Sequence, residues 1–307
     1  MHALRESSRP ASSHWAWRAA ALGALLCAVL APAARAQEKL NRGFPLNAAG
    51  SVKIFNFAGS IRIVGWDRDS VAITGTFETG GRFFGGGGRD GIKLGVEGPA
   101  GGPTPRADLV VRVPATSQVW ARGAATRITV EGVIGSVDIG SVGGAVQVDG
   151  APRELIAETM DGALEITGSP AILRAKTATG TLLWRGGGPA AALSSVSGRI
   201  TTEGGPLGRV RIETVSGEVH ILAALRADAS VTVESHSGSV ELRVPANVPT
   251  RVTADVPQVT GGAVKQVKQV KRPEPRVLEF NSPKPGGVAA EVTVRSFKGQ
   301  LRLLNDR

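Results

Sequence analysis

The chain has 307 residues, a formal net charge of +10, one cysteine and 4% aromatic residues. A lone cysteine excludes a disulfide-stapled scaffold and the cysteine-based zinc sites. So few rings argue against a stacking surface for single-stranded nucleic acid, and no nucleic-acid partner is expected.

Residues 1–36 read as a secretory signal peptide. Arg5, Arg9 and Arg18 precede an apolar core over residues 19–30, and Ala34-Arg35-Ala36 is a small-x-small cleavage site that leaves Gln37 as the mature N-terminus. The core is short for a bilayer span, so membrane contact is expected only through this segment, before cleavage. Cys27 follows Leu26, the wrong neighbour for acylation. Four arginines against Glu6 remove +3 with the segment and leave +7. The periplasm or the cell surface is the expected destination.

Residues 37–117 read as irregular β coils. A first copy of a repeat surrounds Gly59, followed by strand-like runs at 70–77, 92–96 and 107–113, with glycine-rich loops at 80–91 and 98–105. Residues 85–93 match a nonapeptide calcium pattern that works only in tandem. A single copy reads as a loop, and no metal is assigned.

Residues 118–244 carry the main signal. Gly144, Gly162, Gly180, Gly198, Gly217 and Gly238 are spaced 18, 18, 18, 19 and 21 residues apart, and a further copy sits at Gly299. Thr126 lies 18 residues before Gly144 and marks one more coil without the glycine. Periods near 20 residues mean stacked units that bury a continuous core only together. Counted from the glycine, positions −7, −5, +2 and +4 are apolar, as in Leu155, Ala157, Leu164 and Ile166, with polar residues between. That alternation defines strands with one face inside. The expected fold is all-β: a single-stranded β-solenoid, a right-handed β-helix with coils of about 18–21 residues. The repeated glycine is expected to supply a positive φ at the turn.

Position −3 has the parity of the apolar columns but carries hydroxyls: Ser141, Thr159, Thr177, Ser195, Thr214, Ser235 and Ser296. Buried hydroxyls need partners, so a ladder bonded along the stack or to the turn backbone is expected. A serine nucleophile would need a base within reach, and chemistry would need the feature once rather than in every coil.

Residues 245–288 hold seven prolines and the basic run Lys265, Lys268, Lys271 and Arg272, which reads as an insertion and as the candidate contact to an anionic surface. Residues 289–307 read as the closing coil. His220 and His236 have no zinc spacing, and the acids fall one per strand rather than facing each other across a cleft. No catalytic residue and no cofactor is assigned.

The units Val196-Ser197-Gly198, Val215-Ser216-Gly217 and His236-Ser237-Gly238 resemble the DUF4097 family of adhesin-like bacterial proteins. So do the stretch Asn56-Phe57-Ala58-Gly59-Ser60-Ile61-Arg62-Ile63-Val64-Gly65-Trp66-Asp67 and Val111-Arg112-Val113-Pro114. The likeness spans roughly residues 50–304, with departures at Met160-Asp161-Gly162, Ala178-Thr179-Gly180 and Thr126. It implies an exported or envelope-associated β-solenoid with no assigned catalytic residues. The expected role is a non-enzymatic structural or adhesion module for an unidentified envelope polymer or protein. The alternatives are a carbohydrate-active β-helix enzyme, of lyase or hydrolase type, and a regulatory partner that oligomerises through an open end.

Overall fold

The computed structural model describes residues 36–261, 275–281 and 287–305, and the unit treated below begins at Gln37. The signal segment and the basic run Lys265, Lys268, Lys271 and Arg272 lie outside the described residues. Every regular element described is a β-strand.

Each regular repeat contributes a leading strand before its glycine and a trailing strand after it. The leading strands Ser136–Ser141, Glu154–Thr159, Ile172–Thr177, Gly188–Ser195, Leu207–Thr214 and Leu225–Ser235 pair in parallel, each with the next. The trailing strands Val146–Asp149, Leu164–Thr167, Leu182–Arg185, Ile200–Glu203, Val219–Ile221 and Val240–Val244 do the same. The register joins equivalent positions: Leu155 stands opposite Leu173, and Ile166 opposite Trp184. A one-residue slip would turn every apolar side chain outward, so the alternation itself holds this register. The longest spacing is absorbed by a bulge: Leu207 pairs with Leu225 but Arg209 with Ser230.

The apolar columns form one continuous core from Leu40 to Leu303. Trp184 is its largest fully buried side chain, and its indole N–H donates to the Gly168 carbonyl at 3.1 Å. Thr202 occupies the same column and is fully buried with no partner for its hydroxyl.

Both ends of the stack differ from the sequence expectation. The copy at Gly59 joins the regular stack. Strand Ser51–Trp66 lies directly on Gln118–Glu131, with Gly59 opposite Thr126 and Ile61 opposite Ile128. On its other side it pairs with Gly91–Glu97 and Arg106–Pro114. Beyond those, pairing turns antiparallel: Ser70–Glu78 on Arg106–Pro114, Gln37–Pro45 on Ser70–Glu78, and Arg82–Gly88 on Gly91–Glu97. Much of the expected loop 80–91 is therefore a hairpin strand, because glycines whose carbonyls and amides meet a neighbouring strand can join a ladder.

At the other end, Ala290–Ser296 and Gln300–Asn305 stack on the Gly238 coil but do not close the molecule. Thr250–Asp255 and Gln258–Thr260 stack beyond them, and Arg276–Phe280 adds an antiparallel edge. The segment read as an insertion thus supplies the outer layer, and the copy read as the closing coil is internal. The chain passes to the last layer first and returns to fill the one beneath.

Candidate binding surface

The corner between leading and trailing strands sets the surface. At position −3 the hydroxyls point inward, and Ser141, Thr159, Thr177, Ser195, Thr214 and Ser296 are buried while Ser235 is partly exposed. They do not bond to one another. Thr159 Oγ1 donates to the Val142 carbonyl at 3.4 Å, Thr177 Oγ1 to Met160 at 3.3 Å and Ser195 Oγ to Ala178 at 3.3 Å, each in the preceding coil. Ser141 Oγ reaches Thr126 at 2.8 Å, Thr214 Oγ1 reaches Val196 at 3.5 Å, and Ser296 Oγ reaches Gly238 at 3.4 Å. Ser235 Oγ bonds within its own turn, to the Gly238 carbonyl at 3.0 Å. Several of these hydroxyls also accept from the glycine three residues on, as Thr214 does from the Gly217 N–H at 2.9 Å. Each hydroxyl is bonded to backbone of its own or the neighbouring coil.

The repeated glycines are required for a different reason from the expected one. Gly144, Gly162, Gly180, Gly198, Gly217, Gly238 and Gly299 do not adopt positive φ; Gly59 alone of the corner set does, at 105°. A Cβ on Gly198 would overlap the carbonyl oxygen of Gly180 one coil below, and the same holds up the column. Close backbone approach, not turn conformation, excludes a side chain here. Positive φ belongs to a second column six residues later, Gly150, Gly168, Gly186 and Gly204, which the reading of the repeat missed. At Thr126 the corner is inverted: Gly123 stands at the hydroxyl position, and the Thr126 hydroxyl donates to the Asn56 carbonyl at 2.7 Å.

With position −3 turned in, position −2 must face water. It carries Phe57, Ala124, Val142, Met160, Ala178, Val196, Val215, His236 and Phe297, in stacking order. Phe57, Met160 and Phe297 are 52%, 54% and 59% exposed, and Val142, Val196 and Val215 are about half exposed. His236 and Phe297 stack with ring centroids 5.5 Å apart. The result is an apolar ridge, one residue per coil at the strand spacing of ~4.8 Å. A groove of ≈ 320 Å³ runs beside it, between Val142, Met160 and Val196 on the ridge and Arg122, Glu158 and Lys176 on the strand face. A second of ≈ 560 Å³ continues it to His236. This ridge was legible as a parity violation: an apolar column out of phase with the buried ones.

The other outward columns are charged, and their charges meet across coils. Arg62 pairs with Glu131 at 2.8 Å, Arg199 with Glu218 at 2.8 Å and Arg185 with both Glu165 and Glu203. The hydrogen bond and charge of Arg199 hold the Glu218 carboxyl below its usual range, and Glu131 raises Arg62 further. His220 lies 3.6 Å from Glu218 and 3.8 Å from Glu241. Among the described residues no three metal-ligating side chains cluster.

No protein-family model matches this chain, and no curated protein does. Among solved structures, a candidate cell-adhesion protein of Clostridium sporogenes is 8% identical with a TM-score of 0.22, covering 88% of this chain and 100% of its own. A candidate adhesin of Bacteroides fragilis is 11% identical with a TM-score of 0.40, over 88% and 97%. A candidate lipid-binding protein of Parabacteroides distasonis is 9% identical with a TM-score of 0.37, over 86% and 96%. Likeness at this level does not carry a function across.

Proposed function

We propose that the chain is a right-handed β-solenoid of the DUF4097 type, exported to the periplasm or cell surface, that works as a non-enzymatic structural or adhesive module. The observation that carries this reading is the half-exposed apolar ridge at position −2, repeated from Phe57 to Phe297. The residues that recur most regularly around it are committed to stacking, so what the repeat multiplies is a surface rather than a reacting group. Many weak contacts at fixed spacing suit an extended envelope polymer or protein, because each coil adds to binding without any single strong site.

The test is co-sedimentation of the full chain with isolated cell envelopes. Val142→Asp together with Val196→Asp should reduce the bound fraction about tenfold or more while leaving the thermal midpoint within a few degrees, since both side chains are exposed. Unchanged binding by that variant would sink the ridge reading.

A further inference from the structure

Many charges on the stack are met from coil to coil, as in Arg199 with Glu218, but two lysines near Gly59 are not. Lys53 and Lys93 are exposed, stand opposite each other in register, and have no ion-pair partner among the described residues. Like charges directly opposite on one sheet face are destabilising, and an anion seated between them would relieve the pair.

Aromatic rings gather at the same place. Phe55 lies 5.0 Å from Trp120 and 6.3 Å from Phe84, centroid to centroid. Lys93 Nζ sits 5.0 Å from the Phe55 ring and 5.8 Å from that of Phe84, and the Arg122 guanidinium lies 4.4 Å over Trp120. Gly95 makes the cluster possible: a Cβ there would stand 2.9 Å from Phe84 Cζ and 3.0 Å from Phe55 Cβ. Arg122 is already bonded to Asp138 at 2.7 Å, so the two lysines carry the free positive charge. From Arg122 the surface runs straight into the groove beside Val142 and Met160.

We propose that this platform anchors an acidic polysaccharide, with sugar carboxylates on Lys53 and Lys93 and sugar rings against Phe55 and Phe84. The inference rests on the reading of the ridge and its groove as a binding surface and gives that surface a ligand class. A pyranose carries its carboxylate at the ring edge and apolar C–H groups on its face, so one residue meets a lysine and a phenyl ring together. The chain then continues along a groove whose step, ~4.8 Å per strand, is close to the length of one sugar unit. An extended peptide gains less, because the backbone groups along this wall already pair with neighbouring strands.

The experiment is equilibrium binding of the full chain to immobilised polygalacturonate, with dextran and phosphatidylglycerol vesicles in parallel. Polygalacturonate should bind in a salt-sensitive manner and dextran should not. Lys53→Gln with Lys93→Gln should weaken binding about tenfold or more without lowering the thermal midpoint, and Phe84→Ala should weaken it about threefold with the chain still folded. Lys39→Gln, a lysine-to-glutamine change on strand Gln37–Pro45 away from the platform, should leave it unaltered. Wild-type affinity in the double lysine variant, no binding to polygalacturonate, or a preference for the vesicles would each overturn the proposal. Should the ridge variant lose envelopes while polygalacturonate is ignored, the anchor fails and the ridge stands. Should the lysines hold polygalacturonate while the ridge variant keeps its envelopes, the ridge fails alone.

Discussion

The regular coils from Ser136 to Val244 and the N-terminal end from Gln37 to Pro114 are built from the same kind of strand but present opposite surfaces. In the coils, each strand pairs with its own equivalent one layer away, and side chains find regular partners there: Arg199 finds Glu218, and Thr177 finds the Met160 carbonyl. At the N-terminal end the layers are not equivalents. Ser51–Trp66 meets Gly91–Glu97 in place of another repeat, and Lys53 is left facing Lys93.

The sharpest way to break that comparison is at the glycines. Gly198→Val drives a side chain into the Gly180 carbonyl, whereas Gly88 has no atom within 4 Å of a built Cβ. The first should lose about 3–5 kcal/mol and the second stay within about 0.5 kcal/mol, by urea midpoint. Equal midpoints would mean the coils do not stack as described.

A middle-sized effect is expected where the two regions join. A Cβ on Gly123 would stand 2.5 Å from Thr126 Cβ. Gly123→Ser alone should lose about 1–3 kcal/mol. Combined with Thr126→Gly it rebuilds the ordinary corner, hydroxyl at −3 and glycine at 0, and should recover most of the loss. Additive destabilisation in the double variant would show that the corner is not a coupled unit.

The smallest effect lies inside the regular coils. Thr202 is buried without a hydrogen-bond partner in a column otherwise filled by residues such as Ile166, Trp184 and Ile221. Thr202→Val should raise the unfolding free energy by about 1 kcal/mol, because it removes a desolvated hydroxyl and keeps the shape. A loss of stability would place an undetected partner at that hydroxyl.

Much of the local structure was readable without coordinates. Runs of apolar residues at every second position locate strands such as Glu154–Thr159 and Leu164–Thr167, because burial on one face depends only on parity along the chain. The inward turn of Thr159 and the outward turn of Met160 follow from the same parity. The reason for the glycines was not readable. A position that excludes Cβ looks the same in sequence whether the cause is positive φ, as at Gly168, or a neighbouring carbonyl, as at Gly198. The sparse aromatics likewise gave no sign that Phe55, Phe84 and Trp120 converge.

Taken alone, then, the residues determined strand positions, facing and the period of the stack, all of which are set by interactions between near neighbours. Only the tertiary structure decided the order of layers at the two ends: Ser51–Trp66 against Gln118–Glu131, and Thr250–Asp255 outside Ala290–Ser296. The entropy of closing a loop rises only slowly with its length, so which distant strands meet is settled by side-chain fit across the interface. That fit placed Lys53 beside Lys93, and it has no trace in the order of the residues.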